Sequence, residues 1–286
     1  MSKSGFFLGL GAQKSGTTWL AEYLKGHPGV SMSPLKELHY FDSLWLPSCK
    51  AFDKKFFERL KAKLQESSIK AFHHESVKES DDGLRLRALL CRVNMIGRDD
   101  FSSQYRRYFE SVCDMNRLFG EITPSYSMLR SGHFKMIDSI FPGSKYLFLM
   151  RDPVDRFWSH LRFYYKNSKV VLDRALVEKS LDDERFMARA NYGRTLNELF
   201  SVVPTDRVFV GLYEDLFGRD GRAFVRRLTD FLGLSFIEPD FSHKVHVSRA
   251  SKLSSSIELL LRERLDFVYS DVEALGCSSV RSAWRN

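Results

Sequence analysis

Apolar residues in this chain form short continuous runs, and amphipathic stretches separate them. The runs at 6–10 and 145–150 have the length and composition of strands that are buried on both faces. The stretches at 17–24 and 191–203 repeat apolar residues at helical spacing. This alternation predicts an α/β fold over 1–286, with one mainly parallel central sheet and helices on both of its faces.

Weaker patterns predict the remaining elements. Strands are expected at 30–32, 118–122 and 207–212, and helices at 53–64, 101–113, 222–232 and 257–275, the last as one helix or two. Residues 67–87 are polar and charged, so this stretch is expected to include loops. Tyr105, Tyr108 and Phe109 recur at helical spacing, which predicts core packing rather than a ligand platform. We interpret 50–118 as a variable helical region within the single domain.

The charge balance is basic. The chain has 44 Lys and Arg residues against 36 Asp and Glu, which gives a net charge of +8. Such a surplus can serve nucleic acid, an anionic surface or a polyanionic cofactor. The basic residues are scattered through amphipathic stretches without a nucleic-acid-binding signature. We therefore expect one anion pocket and no nucleic-acid partner.

Other classes are disfavoured by composition and cysteine spacing. No run of 18 apolar residues exists, so no membrane span is expected. The first residues lead into a strand without a separate apolar signal segment, which predicts a cytoplasmic protein. Cys49, Cys91, Cys113 and Cys277 have no paired spacing, which indicates free thiols and predicts no metal site. The pattern leaves the oligomeric state open.

Residues 6–24 read as a strand, a glycine loop and the start of a helix. Such a segment binds anions, because backbone N–H groups and the helix dipole point at the ligand. Gly11 and Gly16 have the spacing of a Walker A loop, but Thr17 stands where the lysine of that motif belongs. The lysine is Lys14 instead, inside the loop, where it can reach a phosphate held close to the helix start.

The segment 14–19, Lys-Ser-Gly-Thr-Thr-Trp, resembles the 5′-phosphosulfate loop of sulfotransferases that use 3′-phosphoadenosine 5′-phosphosulfate (PAPS). The resemblance implies a P-loop-like sulfotransferase fold and PAPS as the cofactor. Its implied cofactor contacts in this segment are Lys14, Ser15, Gly16, Thr17 and Thr18, with Trp19 packing on the adenine.

Two later segments follow in the order that this family has. Arg151 ends a buried strand and Ser159 lies eight residues on, which is the spacing that the family uses for the cofactor's 3′-phosphate. The segment 213–216, Tyr-Glu-Asp-Leu, is similar to a motif whose tyrosine, Tyr213 here, approaches the adenine. From the residues alone, Arg151 could equally pair with a nearby aspartate. The strand followed by Asp152 also mimics a Walker B motif, which keeps a kinase possible.

The acceptor side has its own signal. Residues 36–42, Lys-Glu-Leu-His-Tyr-Phe-Asp, resemble a segment of the heparan sulfate glucosaminyl sulfotransferases, and 120–126 resembles a second one. The first resemblance implies Glu37 as general base. His39 is the competing base, and in an extended segment both side chains would point to the same side. In the second segment Ile122 replaces a frequent lysine.

The late basic loop of the family has an uncertain counterpart at 246–252. Ser248 and Arg249 are candidates for the 3′-phosphate, and a solvated basic loop is an equal interpretation. With Lys14, the resemblance implies in-line transfer of a sulfuryl group from PAPS to a hydroxyl or amine without a metal.

The expected acceptor is a carbohydrate or small metabolite, and 50–118 is expected to cover its pocket. Glu37 suits the role of base if partial burial raises its pKa toward neutrality. A P-loop nucleotide-dependent kinase and a non-catalytic nucleotide-binding module remain the alternatives.

Overall fold

A computed structural model describes residues 4–72, 81–218, 220–242, 253–276 and 283–284 of the chain. Five strands form one parallel sheet in the order β2-β3-β1-β4-β5. The strands are β1 (Gly5–Gly11), β2 (Val30–Met32), β3 (Leu118–Ile122), β4 (Lys145–Met150) and β5 (Val208–Leu212). The predicted α/β fold class, with a parallel central sheet, is confirmed.

Helices connect and cover the strands. They are α1 (Thr17–Gly26), α2 (Phe41–Trp45), α3 (Ala51–Phe72), α4 (Asp81–Asn94), α5 (Phe101–Val112), α6 (Ser131–Ile140), α7 (Pro153–Tyr164), α8 (Arg174–Leu181), α9 (Glu184–Met187), α10 (Tyr192–Phe200), α11 (Tyr213–Phe217), α12 (Gly221–Leu232), α13 (Ser255–Arg264) and α14 (Asp266–Ala274). Short 3₁₀ turns occupy Pro47–Cys49, Pro124–Met128 and Thr205–Arg207. No helix in these described ranges is both long and apolar enough to cross a bilayer.

The stretch 67–87, in which loops are expected, is helical at both ends, and 73–80 lies outside the described residues. Helix α3 continues to Phe72 and α4 already begins at Asp81. Lys63 joins the two helices, since its Nζ lies 3.0 Å from Glu66 Oε2 and 2.9 Å from Asp82 Oδ1. Charged residues are good helix formers, so a largely solvated helix has the composition of a loop. The prediction at 257–275 resolves into two helices, α13 and α14.

The sheet separates two apolar cores. Phe6 of β1 packs in the larger core on one face, and its neighbour Phe7 packs in the smaller core on the other. The helix α5 supplies much of the larger core, where Phe109 lies edge-on to Phe6 with ring centroids 5.2 Å apart. Tyr105, Tyr108 and Phe109 are all buried, which confirms their prediction as core residues.

The neighbouring strands β1 and β3 approach each other closely at one point. A Cβ built on Gly120 of β3 would lie 2.1 Å from the carbonyl oxygen of Phe7 in β1. That distance is far below van der Waals contact, and backbone cannot move as a side-chain tip can. The position therefore requires glycine for packing.

The Gly120→Ala change should destabilise the protein by about 1–3 kcal/mol or more, because it forces β1 and β3 apart. The measurement is the midpoint of urea unfolding. The matched control is Gly132→Ala in α6, where a new Cβ meets nothing within 4 Å. That control should be neutral or stabilising by about 0.5–1 kcal/mol, since alanine is the better helix former. Equal midpoints for the two variants would contradict this packing argument.

Candidate functional site

The loop after β1 ends in a left-handed turn that opens the start of α1. Gly16 precedes the helix with φ of 86°, and Lys14 also has a positive φ of 73°. A Cβ on Gly16 would meet the Phe217 ring at 3.0 Å. Because Gly16 has no side chain, it cannot cap the free N–H groups of the first turn, and these remain available for an anion.

Lys14 lies in an environment of positive charge. Its Nζ is 4.7 Å from the centroid of the Phe163 ring. No carboxylate within the described ranges forms an ion pair with it. Burial lowers the pKa of Lys14, and the charges of Arg151, Arg162, Lys36 and Lys166 lower it further. This loop is therefore a place where a polyanion would be strongly favoured.

Arg151 follows β4 and reaches the same loop. Its guanidinium lies 4.4 Å from the Tyr213 ring centroid, and its Nη1 is 3.5 Å from the carbonyl oxygen of Lys14. Its Nη2 is 3.3 Å from Asp155 Oδ2, but Asp155 is 60% exposed and the pair is weak. The Nε of Arg151 is buried without a partner in the described chain. Arg151 thus pairs with Asp155, as the sequence allowed, and still has a donor that no described residue uses.

Asp152 caps a helix instead of facing the loop. Its Oδ1 accepts a hydrogen bond from the Asp155 N–H at 3.0 Å, and its Oδ2 accepts one from the Tyr269 hydroxyl at 2.9 Å. Both oxygens of the presumed Walker B carboxylate are therefore occupied by the protein. Within the described ranges, no group of three His, Cys, Asp or Glu residues is arranged to hold a metal. This geometry counts against the kinase alternative.

Several of the other predicted cofactor residues are buried in the protein. Ser15 and Thr17 are buried in the loop and first turn, and Ser159 is buried two turns into α7. Trp19 has Tyr23 stacked on one side at 5.4 Å and Phe241 stacked at 5.1 Å. Packing of an adenine on the indole face would have to displace one of these rings.

Ser248 and Arg249, the predicted cofactor residues of the late loop, lie outside the described residues. Tyr213 is better presented, since its ring packs close to Gly16 and beneath Arg151. Tyr213 is partly exposed beside the phosphate loop, whereas Trp19 is buried in the smaller core.

The candidate acceptor loop, 33–40, lies beside the phosphate loop. The Nζ of Lys36 donates a hydrogen bond of 2.7 Å to the Thr18 hydroxyl in the first turn of α1. Strand β2 is at the sheet edge, two strands from β1, so this loop crosses β3 to reach α1. The acceptor segment and the cofactor segment therefore meet, as expected for loops at the carboxyl ends of parallel strands.

The loop is not extended, contrary to the geometry assumed from the sequence. Glu37 has φ of 58° and His39 has φ of 48°, so both occupy the left-handed region. Their side chains still meet, with Glu37 Oε2 3.3 Å from His39 Nε2. Two non-glycine residues in this region cost about 1–3 kcal/mol each, and surrounding contacts must hold them there.

His39 is enclosed between two carboxylates. Its Nδ1 donates to Asp42 Oδ2 at 2.7 Å, while its other nitrogen faces Glu37. The Ser125 hydroxyl also donates to Asp42, and the Phe52 ring stacks on the imidazole with centroids 3.5 Å apart. Asp42 belongs to the segment that resembles the sulfotransferase acceptor motif, but sequence reasoning gave it no role.

The three ionisable groups shift one another's pKa. Burial lowers the pKa of His39, but hydrogen bonds to Asp42 and Glu37 outweigh it, and the net pKa is raised. Burial raises the pKa of Glu37, yet the His39 contact and the Lys36 charge leave it lowered. The condition stated for Glu37 as a base, a pKa raised toward neutrality by burial, is therefore not met. The pKa of Asp42 is lowered by the same histidine, against its burial.

Two buried residues far away in the sequence hold this loop in place. Arg92 Nε donates to the Leu38 carbonyl at 2.8 Å, and its Nη2 donates to the His39 carbonyl at 2.7 Å. The Glu121 carboxylate accepts the Leu38 N–H at 3.1 Å and the Tyr105 hydroxyl at 2.6 Å. Sequence reasoning missed both. The only signal was that Glu121 lies in the second acceptor-like segment.

Comparison with known proteins agrees with this geometry. A profile described as the sulfotransferase family matches residues 7–238. The chain belongs to the sulfotransferase family. The matched range contains the phosphate loop, the acceptor loop, Arg151 and Tyr213 of this sulfotransferase-family enzyme. No curated protein matches the chain in sequence.

Solved sulfotransferase structures share the fold. A sulfotransferase from Alicyclobacillus acidocaldarius superposes with a TM-score of 0.65 at 24% identity, covering 100% of both chains. The sulfotransferase domain of the Synechococcus PCC 7002 olefin synthase gives 0.52 at 17% identity, over 93% of this chain and 95% of the other. The sulfotransferase domain from the curacin biosynthetic pathway gives 0.50 at 19% identity, over 90% and 82%.

The Asp42→Asn change should lower the pKa of His39, because it removes the carboxylate that holds the Nδ1 proton. The measurement is an NMR pH titration of the His39 ring in both proteins, with Asp99→Asn, an exposed loop residue, as the control. The raised pKa makes the His39 contribution to stability complete below about pH 6.5, and this contribution is lost as pH rises through the folded pKa. An unchanged His39 titration in Asp42→Asn would contradict the assignment.

Proposed function

We propose that this protein transfers a sulfuryl group from PAPS to a hydroxyl or amine of a small acceptor. The observation that carries the proposal is Lys14, which has no carboxylate ion-pair partner in the described chain, is surrounded by other cations and lies in the loop that leads into the free N–H groups of α1. Family membership makes the reaction class the natural one for this pocket.

Each end of the cofactor has suitable residues. Lys14, Ser15, Gly16, Thr17 and Thr18 would bind the 5′-phosphosulfate, with backbone N–H groups and the Lys14 ammonium as donors. Arg151 has unused donors for the 3′-phosphate, and Ser159 lies on the following helix. Bound PAPS supplies an activated sulfuryl group with a phosphate as its leaving group. Lys14 would stabilise the charge that develops on that phosphate.

Glu37 is the favoured base for the acceptor proton. Its side chain is 34% exposed, so a substrate can reach it, whereas His39 is buried beneath Phe52. The lowered pKa of Glu37 keeps it ionised at neutral pH, and the raised pKa of His39 favours an imidazolium that has no lone pair to offer. His39 would then orient Glu37, and Asp42 would hold the proton on His39.

The Lys14→Ala change should remove most turnover, by roughly 10²–10³-fold, while the protein stays folded. It should also weaken binding of adenosine 3′,5′-bisphosphate, measured by calorimetric titration. Lys25→Ala, on the exposed last turn of α1, is the matched control and should behave as wild type. If wild type gave no heat with adenosine 3′,5′-bisphosphate but bound ATP tightly, the proposed cofactor would be wrong.

The Glu37→Gln change should lower turnover by about 10²–10⁴-fold and leave the affinity for adenosine 3′,5′-bisphosphate unchanged, since only proton transfer is lost. The measurement uses ³⁵S-labelled PAPS with a panel of hydroxyl and amine acceptors. Glu22→Gln, on the exposed side of α1, is the control. If Glu37→Gln kept its turnover while His39→Gln lost it, His39 would be the base instead.

A further inference from the structure

Helix α7 contains an arginine that is fully buried without an acceptor. Arg156 is 0% exposed, and its Nε, Nη1 and Nη2 have no hydrogen-bond partner in the described chain. A buried guanidinium without partners is costly, because nothing replaces the water that it loses. An anion that enters during function would remove this cost.

Two further basic side chains adjoin Arg156. His160 is one turn later on the same helix face, and its buried Nδ1 also lacks a partner in the described residues. Arg189 follows α9, and its Nε is buried and unpartnered as well. The ring centroid of Phe186 lies 4.9 Å from that of His160, so an apolar side chain packs against this histidine. We call Arg156, His160 and Arg189 the inner cationic group.

The charge of this group is not balanced. Within the described ranges, no carboxylate is in ion-pair distance of Arg156 or Arg189. Burial lowers the pKa of His160 well below its usual value, and the charges of Arg156, Arg189 and Lys14 lower it further. His160 is therefore neutral at pH 7, and the two guanidinium groups carry the positive charge.

The group is coupled electrostatically to both halves of the site. The charge of Lys14 helps to lower the pKa of His160, which couples the group to the phosphate loop. Burial lowers the pKa of Arg189, while Cys49 and the Asp42 carboxylate raise it, which couples the group to the acceptor side. An anion bound to Arg189 would therefore interact with the charges of the acceptor side.

We propose that Arg156 and Arg189 bind an anionic group of the acceptor, so that the acceptor is a hydroxylated or aminated carboxylic acid. This inference rests on the proposed function. A carboxylate accepts two parallel hydrogen bonds from a guanidinium, which matches the free donors of Arg156. The same group then fixes the acceptor's hydroxyl or amine relative to Glu37.

The acceptor is a better source of this anion than the cofactor. Lys14, Arg151 and the first turn of α1 already provide donors for the two phosphate ends of an adenosine bisphosphate. The inner cationic group includes Arg189, and the groups that raise the pKa of Arg189 are Cys49 and Asp42, on the acceptor side. A neutral acceptor would leave the buried Arg156 guanidinium unpaired in the complex.

The first test measures binding of malonate, a small dicarboxylate, to protein saturated with adenosine 3′,5′-bisphosphate at constant ionic strength. Wild type should bind malonate but not the neutral malonamide, and the His160 ring signals should shift in the NMR spectrum. Arg156→Met and Arg189→Met should each weaken malonate binding by roughly 10- to 100-fold, without weakening the nucleotide.

The matched control is Arg185→Met, because Arg185 is exposed and paired with Asp183. Arg156→Lys, which keeps a charge, serves if Arg156→Met does not fold. No saturable malonate binding in wild type, or equal binding in the Arg156 and Arg185 variants, would overturn the inference. Loss of nucleotide binding in wild type would instead refute the proposed function, and malonate titration of the unloaded protein would still test the inner cationic group.

The second test follows sulfuryl transfer from labelled PAPS to hydroxy acids, each paired with its methyl ester. The acids should be sulfated and the esters should react at least tenfold more slowly, with the difference lost in Arg189→Met. Equal transfer to acid and ester would contradict an acidic acceptor and leave the sulfotransferase reaction itself intact.

Discussion

The concentration of positive charge around Lys14 is the constraint on which the site depends. Four cations surround this lysine and lower its pKa, on top of the effect of burial. The fold accepts this repulsion because the apolar cores on both faces of the sheet fix β1 and α1. A bound polyanion would attract these cations and relieve their mutual repulsion. The repulsion present in the free protein would therefore strengthen binding of the anion. The same repulsion excludes cationic ligands from the pocket.

A second constraint acts on the acceptor loop. Glu37 and His39 both have left-handed backbone conformations, which side chains disfavour. Arg92 binds two carbonyl groups of this loop, and Glu121 accepts one of its N–H groups. These buried polar contacts are strong where water is excluded, and they leave the loop little freedom. The proposed base, Glu37, thus lies on a loop whose backbone is held by buried polar contacts.

The sequence predicted the elements whose signals are local. The apolar runs located all five strands, and the glycine and lysine positions indicated the loop that the structure places between β1 and α1. It could not predict the contact of Arg92 with Leu38 and His39, because those residues are more than fifty positions apart in the chain and only the fold brings them together. The end of α3 and the start of α4 fall in the polar stretch where loops are expected, since composition does not distinguish a solvated helix from a coil.

Site roles were predictable only where one residue type forces the chemistry. Lys14 inside a glycine loop indicates an anion whatever its neighbours are. Asp42 was not distinguishable from a surface aspartate until its contact with His39 was seen. Trp19 matches a family position, but one of the two rings stacked on it, Phe241, lies more than two hundred residues later in the chain. Tertiary neighbours therefore decide which matched positions are free to act.

The lowered pKa of Glu37 has a consequence for the chemistry. A base whose pKa is far below that of an alcohol cannot remove the proton early in the reaction. It can accept the proton late, when the acceptor oxygen has begun to bond to sulfur and has become acidic. That timing fits a loose transition state, in which most of the charge develops on the leaving phosphate. In the proposed mechanism the larger share of the rate enhancement would then fall to Lys14 and the helix N–H groups. The cluster at His39 would mainly keep Glu37 ionised and oriented, and the hydrogen bond from Lys36 to Thr18 would tie the proposed base to the loop where that charge develops.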